Sequence, residues 1–265
     1  MLNFRTKVIC AILNVTPDSF SDGGLYYKKE DALKRVDEIV SQKISWIDVG
    51  GQSTRPYSEP VTVEEEIERV IPIIYEIKKK YPNVMVSIDT YYPEVACKAI
   101  EAGVDVINDV TGLRNERMIE VVLKYRKPVI IMHMKGTPRD MQLNPSYDDV
   151  VLEIVNFFNE RIRILKKYNF DDIILDPGIG FGKTLEHNIE IMKNLKKFKE
   201  LGYPIMLGPS RKSFIGMITG EKNPLKRVAG TIAACLFCYP YVDLFRVHDV
   251  YDVKQAFDVF EHLLK

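Results

Sequence analysis

Short apolar runs alternate along this chain with longer segments of helical periodicity. In the segment 64–81 the helical period gives one apolar stripe, and the segment 146–168 repeats the pattern. No linker, low-complexity tract or block of like charge interrupts the alternation, so we predict one domain over residues 1–265. The predicted stripe consists of Ile67, Val70, Ile71, Ile74 and Ile77. The eight runs with the length and composition of strands are 8–13, 46–50, 84–89, 104–108, 128–133, 172–176, 204–208 and 243–248.

Alternating strands and helices are typical of α/β folds with parallel sheets, because a parallel connection needs a crossover segment. Eight βα units in 265 residues match the ~250 residues typical of a (β/α)8 TIM barrel. The sequence therefore favours this barrel. An open doubly wound sheet stays as the alternative, because periodicity does not show whether the ring of strands closes.

The balance of charge excludes several classes of partner. The chain has 37 basic and 37 acidic residues, so no global field favours nucleic acid or an anionic membrane. Its longest apolar stretch, residues 228–245, is broken by Pro240 and Asp243, and the N-terminus has no basic-then-apolar signal pattern. We therefore expect a cytoplasmic protein that binds any anion locally.

A CxxC motif, Cys235 and Cys238, raises the question of a zinc or redox site. The motif lies in the apolar helical run "TIAACLFC", and Cys10 and Cys97 form no second pair at ligand spacing. We interpret all four cysteines as core residues without a metal.

Polar side chains recur at the carboxyl ends of the predicted strands, which is where a barrel of this kind carries its active site. One carboxylate alone could cap a helix, and a lone His133 is more often a core residue. Several carboxylate and carboxamide groups facing one mouth instead need a ligand rich in N–H donors to offset their burial. These polar positions are Asn14, 50–56, Asp89, Asn108, Asp109, His133, Asp176, 208–213, Arg246 and His248.

Basic residues at the same end predict an anion site. Arg246 and His248 alternate along a strand, so both can point into the mouth while Val247 faces the helices. Arg55 and Lys212 can add charge, and "SRKS" precedes a short predicted helix whose N–H groups attract an oxyanion.

Two loops have the composition of ligand-binding segments. "DPGIGFGKT" resembles a phosphate loop, but the interval from Gly178 to Lys183 is one residue short of that motif. We interpret it as a tight strand-to-helix turn, with Phe181 as a stacking face for a flat ligand. The polar loop "NVTPDSFSDGG" carries an isolated Phe20, and loops of this length usually bind something.

These motifs together resemble the dihydropteroate synthase family over essentially the whole chain. "NVTPDSFSDGG", "GGQSTRP", "SIDT", "INDVTG", "MHMKGTP", "DPGIGFGKT", "GPSRKSFIG" and "RVHDV" stand in the family's order and spacing. The resemblance implies a barrel that joins 6-hydroxymethyl-7,8-dihydropterin pyrophosphate to 4-aminobenzoate with Mg2+, releasing 7,8-dihydropteroate and pyrophosphate. It also implies a homodimer.

The resemblance further implies a role for each site residue. Asp89, Asn108, Asp176 and Lys212 would hold the pterin, and Asp89, Asp176 and Lys212 would serve in catalysis. Thr54, Arg55, Arg246 and His248 would hold the diphosphate. Phe20, Pro56 and Ser213 would form the 4-aminobenzoate pocket, and Asn14 would be the Mg2+ ligand. The pterin's amino and ring N–H groups match the paired acceptors of a carboxylate.

The first two loops would close over both substrates and exclude water. No general base is needed, because an aryl amine is already neutral at pH 7. Two residues of the second loop depart from the family pattern: Gln52 stands where Glu is usual, and Tyr57 where a glycine is usual. These two departures bear on loop closure and on 4-aminobenzoate binding, and they do not touch the pterin floor.

Two other functions stay open at this point. A pterin-binding barrel of the methyltetrahydrofolate methyltransferase type would not need "NVTPDSFSDGG" or "SRKS". A non-catalytic pterin-binding module is disfavoured because the anion set Asn14, Arg246 and His248 is retained.

Overall fold

The computed structural model describes residues 4, 6–16, 25–52, 60–137 and 139–265. Within these residues, eight strands pair only in parallel, in the order β6-β5-β4-β3-β2-β1-β8-β7. The strands are β1 (Val8–Asn14), β2 (Trp46–Gly50), β3 (Met85–Asp89), β4 (Val106–Asp109), β5 (Val129–Met132), β6 (Ile173–Asp176), β7 (Met206–Leu207) and β8 (Leu244–Val247).

The junction between β6 and β7 completes the ring. An isolated parallel bridge joins Leu175 to Ile205, and the Leu175 N–H donates to the Pro204 carbonyl at 2.9 Å. The predicted strand at 204–208 is shortened to two residues, and Pro204 has no N–H to offer to a ladder. The eight strands thus form a nearly closed barrel, and the open-sheet alternative is wrong.

Helices follow the strands and cover the outside of the barrel. Among the described residues they are α1 (Leu25–Ser41), α2 (Val63–Lys80), α3 (Pro93–Glu101), α4 (Glu116–Tyr125), α5 (Val150–Lys166), α6 (Leu185–Lys193), α7 (Leu195–Lys199), α8 (Ser213–Thr219), α9 (Val228–Cys238) and α10 (Val250–Leu263), with a 3-10 turn at Pro224–Lys226. None of these helices is both long and apolar enough to cross a bilayer.

Helix α2 illustrates how the local sequence sets an element. The Thr62 side chain accepts a hydrogen bond from the Glu65 N–H and caps the helix, and acidic and basic residues at its two ends complement the helix dipole. Its buried face differs from the predicted stripe: Glu66 and Ile73 are buried, whereas Ile67 and Ile71 are only half-buried. The helix is therefore rotated by part of a turn relative to the sequence expectation.

The barrel interior is divided between an apolar half and a polar half. One buried cluster fills the amino-terminal half and consists of Cys10, Trp46, Val106, Ile130, Ile174, Met206 and Leu244. Because side chains of a strand alternate between two faces, the residues two positions further along point into the same interior. Those residues include Asp48, Asn108, Asp176 and Arg246, so the carboxyl-terminal half is polar.

Three of the four cysteines lie in the core, as interpreted from the sequence, whereas Cys97 is only half-buried. Cys235 and Cys238 lie buried and unpaired in α9, and burial raises the pKa of Cys238 to about 12. Within the described residues, no group of three His, Cys, Asp or Glu side chains is arranged to hold a metal ion.

Candidate active site

The structure brings most of the predicted site residues together at the carboxyl ends of the strands. Asn14, Asp89 and Asp176 are the last residues of β1, β3 and β6, and Asn108 is the residue before the last of β4. The register aligns Gly50 with both Asn14 and Asp89, and Asp89 with Asn108, so three polar side chains share one level of the barrel. This level forms the floor of the mouth.

Asp48 is at the centre of the polar network, although the sequence analysis did not select it. It is 1% exposed. Its Oδ2 accepts hydrogen bonds from Asn108 Nδ2 at 3.0 Å and from Arg246 Nε at 2.6 Å, and its Oδ1 accepts one from Ser87 Oγ at 2.5 Å. Arg246 Nη2 also donates to Asp89 Oδ2 at 2.6 Å. One arginine thus bridges two buried carboxylates.

Two acceptor atoms of this network are buried and have no hydrogen-bond partner among the described residues: Asp89 Oδ1 and Asn108 Oδ1. A buried acceptor left unpaired costs roughly 1–3 kcal/mol. Both belong to residues at the barrel mouth, so the arrangement is suited to a ligand that brings N–H donors.

Asp176 and Lys212 form the opposite side of the floor. Asp176 Oδ1 accepts a hydrogen bond from the Gly178 N–H at 2.7 Å, and Gly178 has a φ of +70°, which favours glycine. The Lys212 Nζ lies 3.8 Å from the centroid of the Phe181 ring. Phe181 therefore supports a cation, and its predicted role as a stacking face for the ligand stays a prediction.

Burial shifts the titration of all three ionisable groups predicted to bind the pterin. It raises the pKa of Asp89 to about 7 against the opposing effect of Arg246, and it raises the pKa of Asp176. It lowers the pKa of Lys212 to about 7, although the negative charge of Asp176 acts in the other direction. Perturbed groups clustered in a cleft are typical of active sites.

His248 follows β8 and contacts Ser210. The Ser210 Oγ accepts a hydrogen bond from the His248 N–H at 3.1 Å and lies 3.0 Å from His248 Nδ1. The hydroxyl can then donate to Nδ1, which favours the tautomer with its proton on Nε2. Arg246 points into the barrel and Val247 lies in the outer core, as the strand alternation predicted.

His133 is a structural residue. Its Nδ1 lies 3.2 Å from the Nζ of Lys183, which also donates to the carbonyls of His133 and Phe181. Burial lowers the pKa of His133 to about 2, with Lys183 adding to the effect, so the ring is neutral and acts as an acceptor. This buried pair ties the glycine-rich loop to the end of β5.

Asn14 is the predicted metal ligand, and its surroundings fit a magnesium ion that is held mainly by a substrate. It is half-buried at the end of β1, with its Oδ1 facing Gly50 beside Asp89. Mg2+ in phosphate sites takes one or two protein oxygens, and substrate phosphates and water supply the others. One amide oxygen at the mouth is consistent with that pattern.

The other predicted residues fall in two groups. Ser213 is exposed at the first position of α8, directly after Lys212. Phe20, Thr54, Arg55 and Pro56 lie outside the described residues, as does Tyr57. Gln52 is described: its Oε1 accepts hydrogen bonds from the Val61 N–H at 3.1 Å and the Tyr91 hydroxyl at 3.2 Å. A glutamate could accept both, so this departure preserves the contacts.

Comparison with known proteins identifies the family of this chain. The sequence profile of the family described as pterin binding enzyme matches residues 10–248. The chain belongs to this family of pterin-binding enzymes. A dihydropteroate synthase from Clostridium beijerinckii is 46% identical over 253 residues, covering 94% of this chain and 91% of the relative. Within the family, the chain therefore belongs with the dihydropteroate synthases.

Solved structures agree with this assignment. The Xanthomonas albilineans dihydropteroate synthase with 4-aminobenzoic acid has a TM-score of 0.93 at 39% identity, covering 99% of this chain and 95% of that one. The same enzyme in complex with 7,8-dihydropteroate has a TM-score of 0.89 at 38% identity, with the same coverage of 99% and 95%. The similarity extends over the entire barrel.

Proposed function

We propose that this protein catalyses the dihydropteroate synthase reaction. The amine nitrogen of 4-aminobenzoate attacks the methylene carbon of 6-hydroxymethyl-7,8-dihydropterin pyrophosphate. The bond from that carbon to the diphosphate oxygen breaks, pyrophosphate leaves, and the amine proton passes to water. The observation that carries the proposal is a pair of buried acceptors beside the guanidinium of Arg246, Asp89 Oδ1 and Asn108 Oδ1, for which the described part of the chain supplies no donor.

The residues at the floor of the mouth have different roles in the proposed reaction. Asp89, Asn108 and Asp176 accept hydrogen bonds from the pterin, and the carboxylates of Asp89 and Asp176 stabilise the positive charge that develops on the pterin methylene. Lys212, held over Phe181, lies beside them and hydrogen-bonds the pterin's acceptor atoms. Asp89, Asp176 and Lys212 are therefore the groups to which we assign catalysis.

The diphosphate leaving group binds on the other side of the mouth. Arg246 and His248 bind the diphosphate there, together with Thr54 and Arg55 of the second loop. Asn14 would hold Mg2+ through its side-chain oxygen. The ion supplies positive charge that makes diphosphate a better leaving group.

The second substrate binds above the pterin. We assign its pocket to Phe20, Pro56 and Ser213, with the carboxylate of 4-aminobenzoate next to the start of α8. Closure of the first two loops would complete this pocket and keep water from the activated pterin.

We also expect a cytoplasmic homodimer. Several large apolar side chains of α8 and α9 are exposed, and contact with a second copy would cover them. These are Met217, Ile218 and Phe237, which are 64%, 58% and 61% exposed.

The test is an assay with both substrates and Mg2+ that measures dihydropteroate and pyrophosphate separately. We expect the two products in equal amounts. Binding of the pterin without formation of either product would instead identify a non-catalytic pterin-binding module. Methyl transfer from a methylated folate to a corrinoid protein would identify the methyltransferase alternative.

A further inference from the structure

Asp48 contacts two of the groups that the proposed function assigns to different parts of one substrate. Its Oδ2 accepts from Asn108, assigned to the pterin, and from Arg246, assigned to the diphosphate. Asp48 lies one layer below the mouth, two positions before Gly50 on β2, and is 1% exposed. It does not reach the mouth itself, so these two neighbours are its hydrogen-bonded links to the substrate.

The contact with Asn108 fixes which end of the amide faces the mouth. A carboxylate is an acceptor only, so the amide must turn its Nδ2 towards Asp48. This leaves Asn108 Oδ1 as a buried atom that no donor of residues 4, 6–16, 25–52, 60–137 and 139–265 reaches. A ligand at the mouth consequently meets an acceptor at this position.

The contact with Arg246 fixes the direction of the guanidinium. Nε is bonded to Asp48 and Nη2 to Asp89, both at 2.6 Å. Without Asp48, the nearest carboxylate left to the guanidinium is Asp89, which the pterin needs. The Nε bond thus keeps part of the cation away from the pterin floor.

Asp48 is itself held from below. The Trp46 Nε1–H donates to Ser87 Oγ at 2.9 Å, and the Ser87 hydroxyl donates to Asp48 Oδ1. Trp46 and Ser87 are both buried, at 2% and 0% exposure. A continuous chain of hydrogen bonds therefore runs from the apolar half of the barrel to the substrate-facing groups.

We propose that Asp48 is a positioning residue that sets the orientation of Asn108 for the pterin and of Arg246 for the diphosphate. The proposal rests on the assignment of those two ligands in the proposed function. It adds that neither group is correctly oriented without the Asp48 carboxylate.

Double-mutant cycles test the proposal, because a residue that acts through another has no effect once the other is removed. The measurements are calorimetric affinities for 6-hydroxymethylpterin and, separately, for pyrophosphate with Mg2+. We expect Asp48→Asn to weaken both by about ten- to a hundredfold. In an Arg246→Ala background it should no longer change pyrophosphate affinity, and in a background that carries both Asn108→Ala and Arg246→Ala it should no longer change pterin affinity.

Two further variants separate positioning from a general loss of structure. Asp105→Asn is the matched control. The Asp105 carboxylate likewise accepts more than one hydrogen bond, from the Val86 N–H at 2.8 Å and from Lys78 Nζ at 2.9 Å. It lies just before β4, at the opposite end of the barrel from the mouth. The substitution should leave both affinities unchanged. Ser87→Ala retains the charge of Asp48 and should weaken both affinities in the same direction, so it provides the test if Asp48→Asn fails to fold.

Additive effects in both cycles, or wild-type affinities in Asp48→Asn or in Ser87→Ala, would overturn the proposal. Failure of the wild-type protein to bind either ligand would instead count against the proposed function. The two failures are therefore distinguishable.

Discussion

Arg246 and Asp89 form a direct ion pair across the barrel mouth, with Nη2 of the arginine 2.6 Å from Oδ2 of the aspartate. The two side chains come from β8 and β3, and each is assigned to a different half of the same substrate. Oδ2 of Asp89 holds the arginine and Oδ1 is left for the pterin, so one carboxylate serves both halves of the substrate. Pterin affinity is for this reason linked to the position of the arginine.

Arg246→Ala should weaken binding of pyrophosphate with Mg2+ by roughly 1.5–3 kcal/mol, the range for hydrogen bonds to charged groups. It should also lower the free energy of unfolding by about 3–5 kcal/mol, because Asp48 and Asp89 lose their shared cation. Calorimetry and urea unfolding measure the two effects. Arg117→Ala is the control, since Arg117 pairs with Glu94 at 2.7 Å and is 67% exposed; an equal effect of both variants would contradict the prediction.

Asp176→Asn should weaken pterin binding. The substitution replaces one acceptor oxygen by an amide donor that faces the pterin's own donors, and the loss is about 1.5–3 kcal/mol for each hydrogen bond. The remaining side-chain oxygen can still accept a hydrogen bond from the Gly178 N–H, so the glycine-rich loop should keep its conformation. Calorimetry with 6-hydroxymethylpterin measures the change, and unaltered affinity would remove Asp176 from the pterin floor.

Mg2+ should be needed for turnover. Chelation with excess EDTA should abolish product formation, and added Mg2+ should restore it. Asn14→Ala should raise the Mg2+ concentration that gives half-maximal activity, because the metal loses one protein oxygen. Activity that persists in EDTA would exclude this role of the ion, and an unchanged Mg2+ requirement in the variant would exclude Asn14 as the ligand.

Glu66 predicts an unusual dependence of stability on pH. It is fully buried on α2, and neither carboxylate oxygen has a hydrogen-bond partner of normal geometry among the described residues. Burial raises the pKa of Glu66 from 4.5 to about 7, while the nearby Thr90 hydroxyl partly offsets the effect. Because the folded protein favours the protonated form, the contribution of this group is complete below about pH 4.5 and is lost as the pH rises through about 7.

Glu66→Gln has the same shape but no charge at any pH. Its free energy of unfolding should match that of the wild type near about pH 4 and exceed it by about 3 kcal/mol near about pH 8.5. Urea unfolding at several pH values measures the difference. Glu68→Gln, on the exposed side of the same helix, should show no such divergence from the wild type as the pH rises; parallel pH profiles for wild type and Glu66→Gln would refute the prediction.

The sequence predicted the barrel and the level of its mouth, because strand length and helical period are local properties. The buried positions of Asp48 and Glu66 were not predicted, and the reasons are physical. Asp48 lies in "WIDVG", whose residues are buried on both faces, so alternation of polar and apolar residues gave no signal. Its partners come from β3, β4 and β8, and the register that joins them is a property of the closed ring. A charged residue inside a short buried strand was the available clue.

The burial of Glu66 could not be predicted because of its neighbours in the sequence. Three glutamates in the first turn of a helix have an ordinary explanation in the helix dipole. Only the rotation of α2 against the barrel distinguishes the buried third glutamate from the two exposed ones. That rotation also explains why Ile73, and not Ile67, completes the buried face.

The hydrogen bond from Trp46 to Ser87 has a spectroscopic consequence. The chain contains one tryptophan, and its indole is joined through Ser87 to the carboxylate between the two substrate-binding groups. The chain also contains 14 tyrosines, so excitation at wavelengths that only the indole absorbs selects this one chromophore, whose electrostatic surroundings include the base of the mouth. Ligand arrival that redistributes charge around Asp48 changes the field at that indole, so the emission spectrum itself serves as a titration signal.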